Sequence, residues 1–186
     1  MPQPTASKGE MNVQNRTLRQ ITAAGVIAAA YAALSLVLAT ITFGPVQCRI
    51  SEALTLLPVI SPAAIWGVTL GCAVTNGVGA ATGTNFLGLV DLPVGTAATL
   101  LAAVATRLLG KIRFGGLPWL SALPPILFNA VAIGGEWCYA MTGSINGAFW
   151  VFAGQIALGQ LPPCLLGVWL IHLLERRGLQ NIIEGK

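Results

Sequence analysis

Charge is what this sequence has least of. Of its 186 residues, 9% are Asp, Glu, Lys or Arg and 55% are apolar, whereas an ordinary soluble domain carries roughly 25% charged residues. Mean hydropathy is +0.76. A soluble fold of this size cannot hide so much apolar surface behind so few charges, so lipid must be part of its solvent. That all but excludes water-soluble enzymes, nucleic-acid binders and disordered scaffolds. Histidine occurs once, at His172, and the four cysteines (Cys48, Cys72, Cys138, Cys164) show no C-x-x-C spacing. No metal site or other cofactor is legible in them, and they read as buried thiols acting as small hydrophobes. The patterns GxxxxGK[ST], HExxH and GxSxG are missing, so the chain has no Walker-type ATP site and no readable catalytic centre. It does not read as an enzyme. The two halves show no convincing internal repeat, against most ion-coupled transporter designs.

What is present is a series of apolar runs. A span needs roughly 20 apolar residues. Residues 21–42, 91–109, 117–141 and 148–174 each supply one, the last interrupted by Pro162-Pro163, which should kink it. The stretch 50–83 contains Pro58 and Ser61-Pro62 and reads as one kinked span or as a hairpin of a short and a long helix. Charge decides between them. Cations cluster at Arg16/Arg19, at Arg107/Lys111/Arg113 and at Arg176/Arg177, and the positive-inside rule places all three in the cytoplasm. The net charge of +4 therefore reads as orientation, with no call for nucleic acid as a partner. One cluster can follow another on the same side only if 50–83 crosses twice. The expectation is an all-α integral membrane protein of six helices with both termini cytoplasmic. Its second helix is short, about 50–60. A cytoplasmic tail occupies 1–20, the transmembrane domain 21–175, and a second tail 176–186.

That topology sends the polar residues to one level near the outer surface: Gln47, Arg49, Glu52, Asn76, Asn85, Asp91 and Glu136. A charge inside a span costs roughly 2.5–3.5 kcal/mol, so such groups face a cavity or a partner. Arg49 and Glu52 are three apart and can neutralise each other, as a structural pair or as ligand contacts. Asp91, followed by Leu92-Pro93, reads either as a helix N-cap or as a site residue. Glu136 has no such structural excuse, since Gly134-Gly135 opens space before it and Trp137 and Tyr139 follow it. Trp137, Tyr139, Phe149 and Trp150 read as an interfacial belt, as a stacking pocket for a flat ligand, or as both. Carboxylates left unpaired want a donor-rich ligand, such as a flat heterocycle whose paired N–H groups meet a carboxylate with two parallel hydrogen bonds. On the first helix, the spacing Ala24–Ala28–Ala32 permits close helix approach, either within the chain or to a separate membrane subunit.

The string Phe43-x-x-x-Gln47-x-Arg49-x-Ser51-Glu52-Ala53-Leu54-Thr55-Leu56-Leu57-Pro58 resembles the signature of the QueT family. Ser61-Pro62-Ala63-Ala64-Ile65, the Gly71-Cys72 and Asn76 region, and the block Asp91 to Leu100 fit as well, so the resemblance covers about residues 18–175. It implies an energy-coupling-factor S component, the substrate-binding subunit of an importer in the bacterial cytoplasmic membrane. The implied substrate is a queuosine precursor, a deazaguanine base such as the aminomethyl precursor or queuine. The implied partners are a transmembrane T component, docked on the alanine-rich face of the first helix, and two cytoplasmic ATPases. Glu136, Asp91, Asn129, Gln47, Asn85, Trp137 and Trp150 are the expected substrate contacts, Arg49 and Glu52 the structural or gating pair, and Ala24, Ala28 and Ala32 the docking face. An S component for another vitamin or heterocycle, or a self-sufficient ion-coupled carrier with Glu136 as its cation site, are the alternatives.

Overall fold

The apolar runs fold as helices whose outer faces stay apolar. A computed structural model describes residues 8–178 apart from Pro45, with side chains from Val13 onward. The helices are α1 (Lys8–Val37), α2 (Ala39–Thr42), α3 (Ala63–Ala81), α4 (Asp91–Leu109), α5 (Leu123–Thr142) and α6 (Phe149–Arg176). Three 3-10 segments join them: Ile50–Val59, Gly88–Val90 and Trp119–Ala122. Four helical stretches among the described residues are long and apolar enough to cross a membrane: Val13–Val37, Ala63–Ala81, Gly88–Leu109 and Phe149–Arg176. Their side chains Val26, Val37, Leu70, Leu108 and Trp169 are more than half exposed, a surface that suits lipid and not water. The protein is a multi-pass membrane protein. At 20 residues α5 matches the length of a span, but Pro124, Pro125, Asn129 and Glu136 dilute its hydropathy.

Several boundaries move. The N-terminal tail expected over 1–20 is helical from Lys8, because hydropathy falls at residue 20 while the helix simply continues. Residues 1–7 and 179–186 of the two tails lie outside the described residues, as does Pro45, expected to end the first helix. That helix breaks at Leu38 instead, between α1 and α2. The last helix runs unbroken through Pro162 and Pro163.

The short second helix is a ten-residue 3-10 segment, Ile50–Val59. At about 2.0 Å rise per residue it is longer than an α-helix of the same count. Ser51, Glu52, Thr55, Leu56, Leu57 and Pro58 are all buried in it. It is lodged among α1, α3, α4 and α6. Arg107 donates to the Pro58 carbonyl at 2.8 Å and ties its far end to α4.

Glycines set the spacing around it. A Cβ at Gly67 would lie 2.8 Å from Ile27 Cβ, one at Gly71 would lie 2.7 Å from Tyr31 Cβ, and one at Gly79 would lie 2.5 Å from the Phe43 ring. These matched steps make α1 and α3 parallel neighbours, so the chain between them returns along the bundle through the 3-10 segment. On α6, a Cβ at Gly159 would collide with the Val46 carbonyl oxygen, and one at Gly167 would lie 2.6 Å from the Ala53 carbonyl oxygen.

The alanine row is also placed by this contact. Ala32 is buried, Ala24 and Ala28 are half-buried, and the backbone oxygens of Ala24 and Ala28 face Gly67 and Gly71. Ala32 is taken up within the chain, while Ala24 and Ala28 stay partly exposed, Ala24 on the rim of an apolar groove. The small residues that α1 leaves exposed are the adjacent row, Gly25, Ala29 and Ala33.

Gly71→Leu is expected to force α1 off α3. Overpacking of this kind costs about 1–3 kcal/mol or more, read as a lower thermal midpoint of the detergent-solubilised protein. Gly25→Leu, with nothing within 4 Å of its Cβ position, is expected to leave the midpoint close to wild type.

Candidate functional site

The polar side chains of the 43–52 stretch, α3 and α4 meet at one end of the bundle. Arg49 is the N-cap of the 3-10 segment, with extended backbone (φ −95°, ψ 100°). That geometry sends its side chain away from Glu52 and toward α3. Its Nη2 donates to Asn76 Oδ1 at 3.1 Å, its Nη1 lies 3.6 Å from the Cys72 sulfur, and its guanidinium sits 5.5 Å from the centre of the Phe43 ring. The expected neutralising pair of Arg49 with Glu52 is therefore not formed. Among the described residues the ion pair within 4.0 Å is Arg113–Glu175, at the other end of the bundle.

Asn76 passes the link on. Its Nδ2 donates to the Asp91 carbonyl at 2.9 Å, and Asn85 Nδ2 donates to Asp91 Oδ2 at 2.8 Å. Val90, not Asp91, occupies the N-cap position of α4, so the carboxylate binds Asn85 in place of capping. It still lies in the first helical turn, where a negative charge is favoured by the helix dipole. Its Oδ1 has no partner and lies 2.5 Å from where a Gly95 Cβ would stand. Asn85 also accepts from the Leu87 N–H at 3.1 Å. It serves as a clamp on Asp91 and the turn after α3.

Glu52 is 1% exposed. Tyr31 Oη donates to its Oε1 at 2.6 Å, while its Oε2 has no hydrogen-bond partner. Asn129 of α5 faces the same carboxylate. Gln160 of α6 is buried with Oε1 unpartnered, one turn from the buried Cys164. Thr99 faces Cys72 from α4. Gln47 is buried with a left-handed φ of 45° and its Nε2 unpartnered, on the short stretch that Gly159 of α6 makes room for.

Glu136 is half-buried, and neither carboxylate oxygen has a partner. It lines a cleft of about 450 Å³ with Phe86, Leu87, Val90, Tyr139 and Ile145. Next to it, Trp137 is buried and stacked between Phe86 (5.1 Å between ring centres) and Phe152 (6.4 Å). Its Nε1 has no partner. Trp150, by contrast, is 76% exposed and touches Phe149 edge-on, so it is not gathered with the other expected contacts. A helix turns about 100° per residue, so Trp150 and Phe152 point nearly opposite ways, and Phe152 takes the inward place. Tyr139 is 63% exposed. The aromatic group thus divides into an inward stack and an outward fringe.

Sequence reasoning missed Tyr31, Phe86, Phe152 and Gln160. Only Tyr31 left a signal, as the one bulky polar side chain in an alanine-rich run.

With this geometry, the comparison with known families is decisive. The family profile described as QueT transporter matches residues 21–176. The chain belongs to the QueT transporter family. The match spans the whole bundle from the apolar part of α1 to the end of α6, including every polar residue above. No curated protein and no solved structure matches the chain. Membership makes this QueT protein a transporter.

Asn76→Ala removes the one side chain that joins Arg49 to Asp91. Leaving buried polar groups unpaired costs about 1–3 kcal/mol, so the variant is expected to melt earlier in detergent. Equal midpoints for Asn76→Ala and wild type would show that the join contributes nothing to stability.

Proposed function

We propose that this protein is the substrate-binding S component of an ATP-driven energy-coupling-factor importer for a queuosine precursor, a deazaguanine base. In this reading it crosses the bacterial cytoplasmic membrane six times, with both termini in the cytoplasm and the polar end of the bundle outward. The observation that carries the reading is the set of buried polar atoms without partners at that end: Gln47 Nε2, Glu52 Oε2, Asp91 Oδ1, Trp137 Nε1, Gln160 Oε1 and the Glu136 carboxylate. Each such atom costs about 1–3 kcal/mol while unpaired. A flat, donor-rich heterocycle offers hydrogen bonds to the carboxylates and a face to the aromatic stack.

The absence of a phosphate-binding loop supports the second half of the reading, because the chain then needs partners to drive uptake. A transmembrane T component and two ATPases fill that role. The exposed Gly25–Ala29–Ala33 row and the apolar groove beside it, lined by Ile21, Ala24, Pro62, Trp66 and Leu70, are where a second membrane subunit can approach α1 closely.

The test is direct binding of deazaguanine bases to the purified chain alone, against guanine, riboflavin, thiamin and biotin. Tight binding of a deazaguanine, with uptake only when partner subunits and ATP are supplied, supports the reading. Binding of a different vitamin keeps the S component and replaces its substrate. Uptake by the chain alone, abolished by uncouplers, points to an ion-coupled carrier. Glu136→Gln is expected to weaken deazaguanine binding by about 2–5 kcal/mol if its carboxylate meets a charged or paired donor. Unchanged affinity removes Glu136 from the site.

A further inference from the structure

Three carboxylates lie at the polar end of the bundle, and their surroundings are not equivalent. Asp91 is committed to the fold on two counts: its carbonyl holds Asn76 and its Oδ2 holds Asn85. Its remaining oxygen lies against Gly95 in the first turn of its own helix. Glu136 has both oxygens free, but no side chain orients it, and its cleft is otherwise apolar and partly open. A carboxylate with no positioning partner is poorly prepared to read a specific edge.

Glu52 differs from both. It is 1% exposed and stands on a 3-10 segment packed on four sides, so its backbone has no freedom to move. Tyr31 Oη occupies a single lone pair of Oε1 at 2.6 Å and fixes the plane of the group. An ionised carboxylate has about four acceptor sites. Asn129 and Thr55 also turn polar side chains to this carboxylate, yet Oε2 keeps no partner within hydrogen-bond distance, so accepting capacity remains on that oxygen. The Asn129 amide on α5 stands beside it, and on α6, which also packs on the 3-10 segment, Gln160 is buried with Oε1 unpartnered.

The geometry points to Glu52, oriented by Tyr31, as the residue that reads the base edge of the substrate: its two oxygens accept from a ring N–H and a neighbouring exocyclic amino group, which selects guanine-type over adenine-type edges. Tyr31 is a positioning residue in this assignment. The inference rests on the reading that the ligand is a deazaguanine. It moves Glu52 from a structural or gating role to the determinant of specificity.

Binding is measured by calorimetry on the full-length chain in detergent, with a 7-deazaguanine base, its N1-methyl derivative and 7-deazaadenine as probes. On the wild-type protein, N1-methylation removes one of the two donors without altering the protein, and affinity is expected to fall on the order of 30- to 1,000-fold, as for loss of one partner of a buried charged hydrogen bond. Glu52→Gln presents one acceptor and one donor. It is expected to lose the deazaguanine by a similar factor while the ratio of deazaadenine to deazaguanine affinity rises at least about tenfold, since a mismatched polar edge is the stronger source of discrimination. Tyr31→Phe is expected to weaken every guanine-type probe alike, with the ratio kept. A Glu52→Gln protein that elutes and melts like wild type yet holds the deazaguanine as tightly overturns the assignment, as does a fall in all affinities with no change of ratio. Should the variant fail to fold, the N1-methyl probe on wild type decides: unchanged affinity overturns the assignment. If wild type binds no deazaguanine at all, the substrate reading fails first. If it binds both the base and its N1-methyl derivative equally, that reading stands and the role of Glu52 alone is lost.

Discussion

In hydrocarbon, a backbone outside an α-helix must find its hydrogen bonds inside the protein. The stretch from Phe43 to Ser61 is non-helical or 3-10 almost throughout, so it cannot face lipid. Much of the bundle follows from that constraint. α1, α3, α4 and α6 close around the segment. Glycines stand where its backbone touches α6, at Gly159 and Gly167. Side chains from the enclosing helices take up its polar groups: Ser35 meets Ser51, Tyr31 meets Glu52, and Arg107 meets the Pro58 carbonyl. Housing irregular backbone at the centre of a membrane protein also collects polar side chains there, and a ligand site uses those same side chains.

The broad architecture was legible because hydropathy and charge act at long range. The apolar runs gave the helices, and the spacing of the cationic clusters led to a hairpin over 50–83; in the structure α1 and α3 run parallel with the 3-10 segment between them. The gathering of Arg49, Asn76, Asn85, Asp91 and Glu136 at one end was legible for the same reason. Details that depend on rotation about a helix axis were not. The Ala24–Ala28–Ala32 spacing is equally good for an inner or an outer contact, and only the facing glycines of α3 settle it. Trp150 and Phe152 are two residues apart, and no composition argument says which points in. Arg49 and Glu52 have an ideal helical spacing for a pair, but the pairing rule assumes an α-helix starting at Arg49, and the chain there is extended.

The cations and the unpaired carboxylates occupy opposite ends of the molecule. Arg107, Lys111, Arg113, Arg176 and Arg177 lie at the end where α4 and α6 finish, with Arg113 bound to Glu175 at 2.7 Å. At the other end Arg49 is the cation placed among Glu52 and Asp91. Its hydrogen bonds run to neutral groups, the Asn76 amide and the Cys72 sulfur. This arrangement keeps the carboxylate oxygens from being consumed by a salt bridge. A direct Arg49–Glu52 pair would make a sounder core and a poorer site. The extended backbone at Arg49 leaves the two side chains without a direct ion pair.

The seating of the 46–47 stretch on Gly159 has a consequence for how the protein is made. Ribosomes deliver the chain from its N-terminus. The segment that follows α1 therefore emerges well before α6, which supplies Gly159 and Gly167. Until then the 3-10 segment lacks the wall against which its backbone rests, although its partners on α1 and α3 are already in place. The 3-10 segment is then without its α6 wall until that helix has been made. Completion of the final helix is then the moment at which the early part of the chain becomes lodged, so the last residues inserted govern the folding of some of the first.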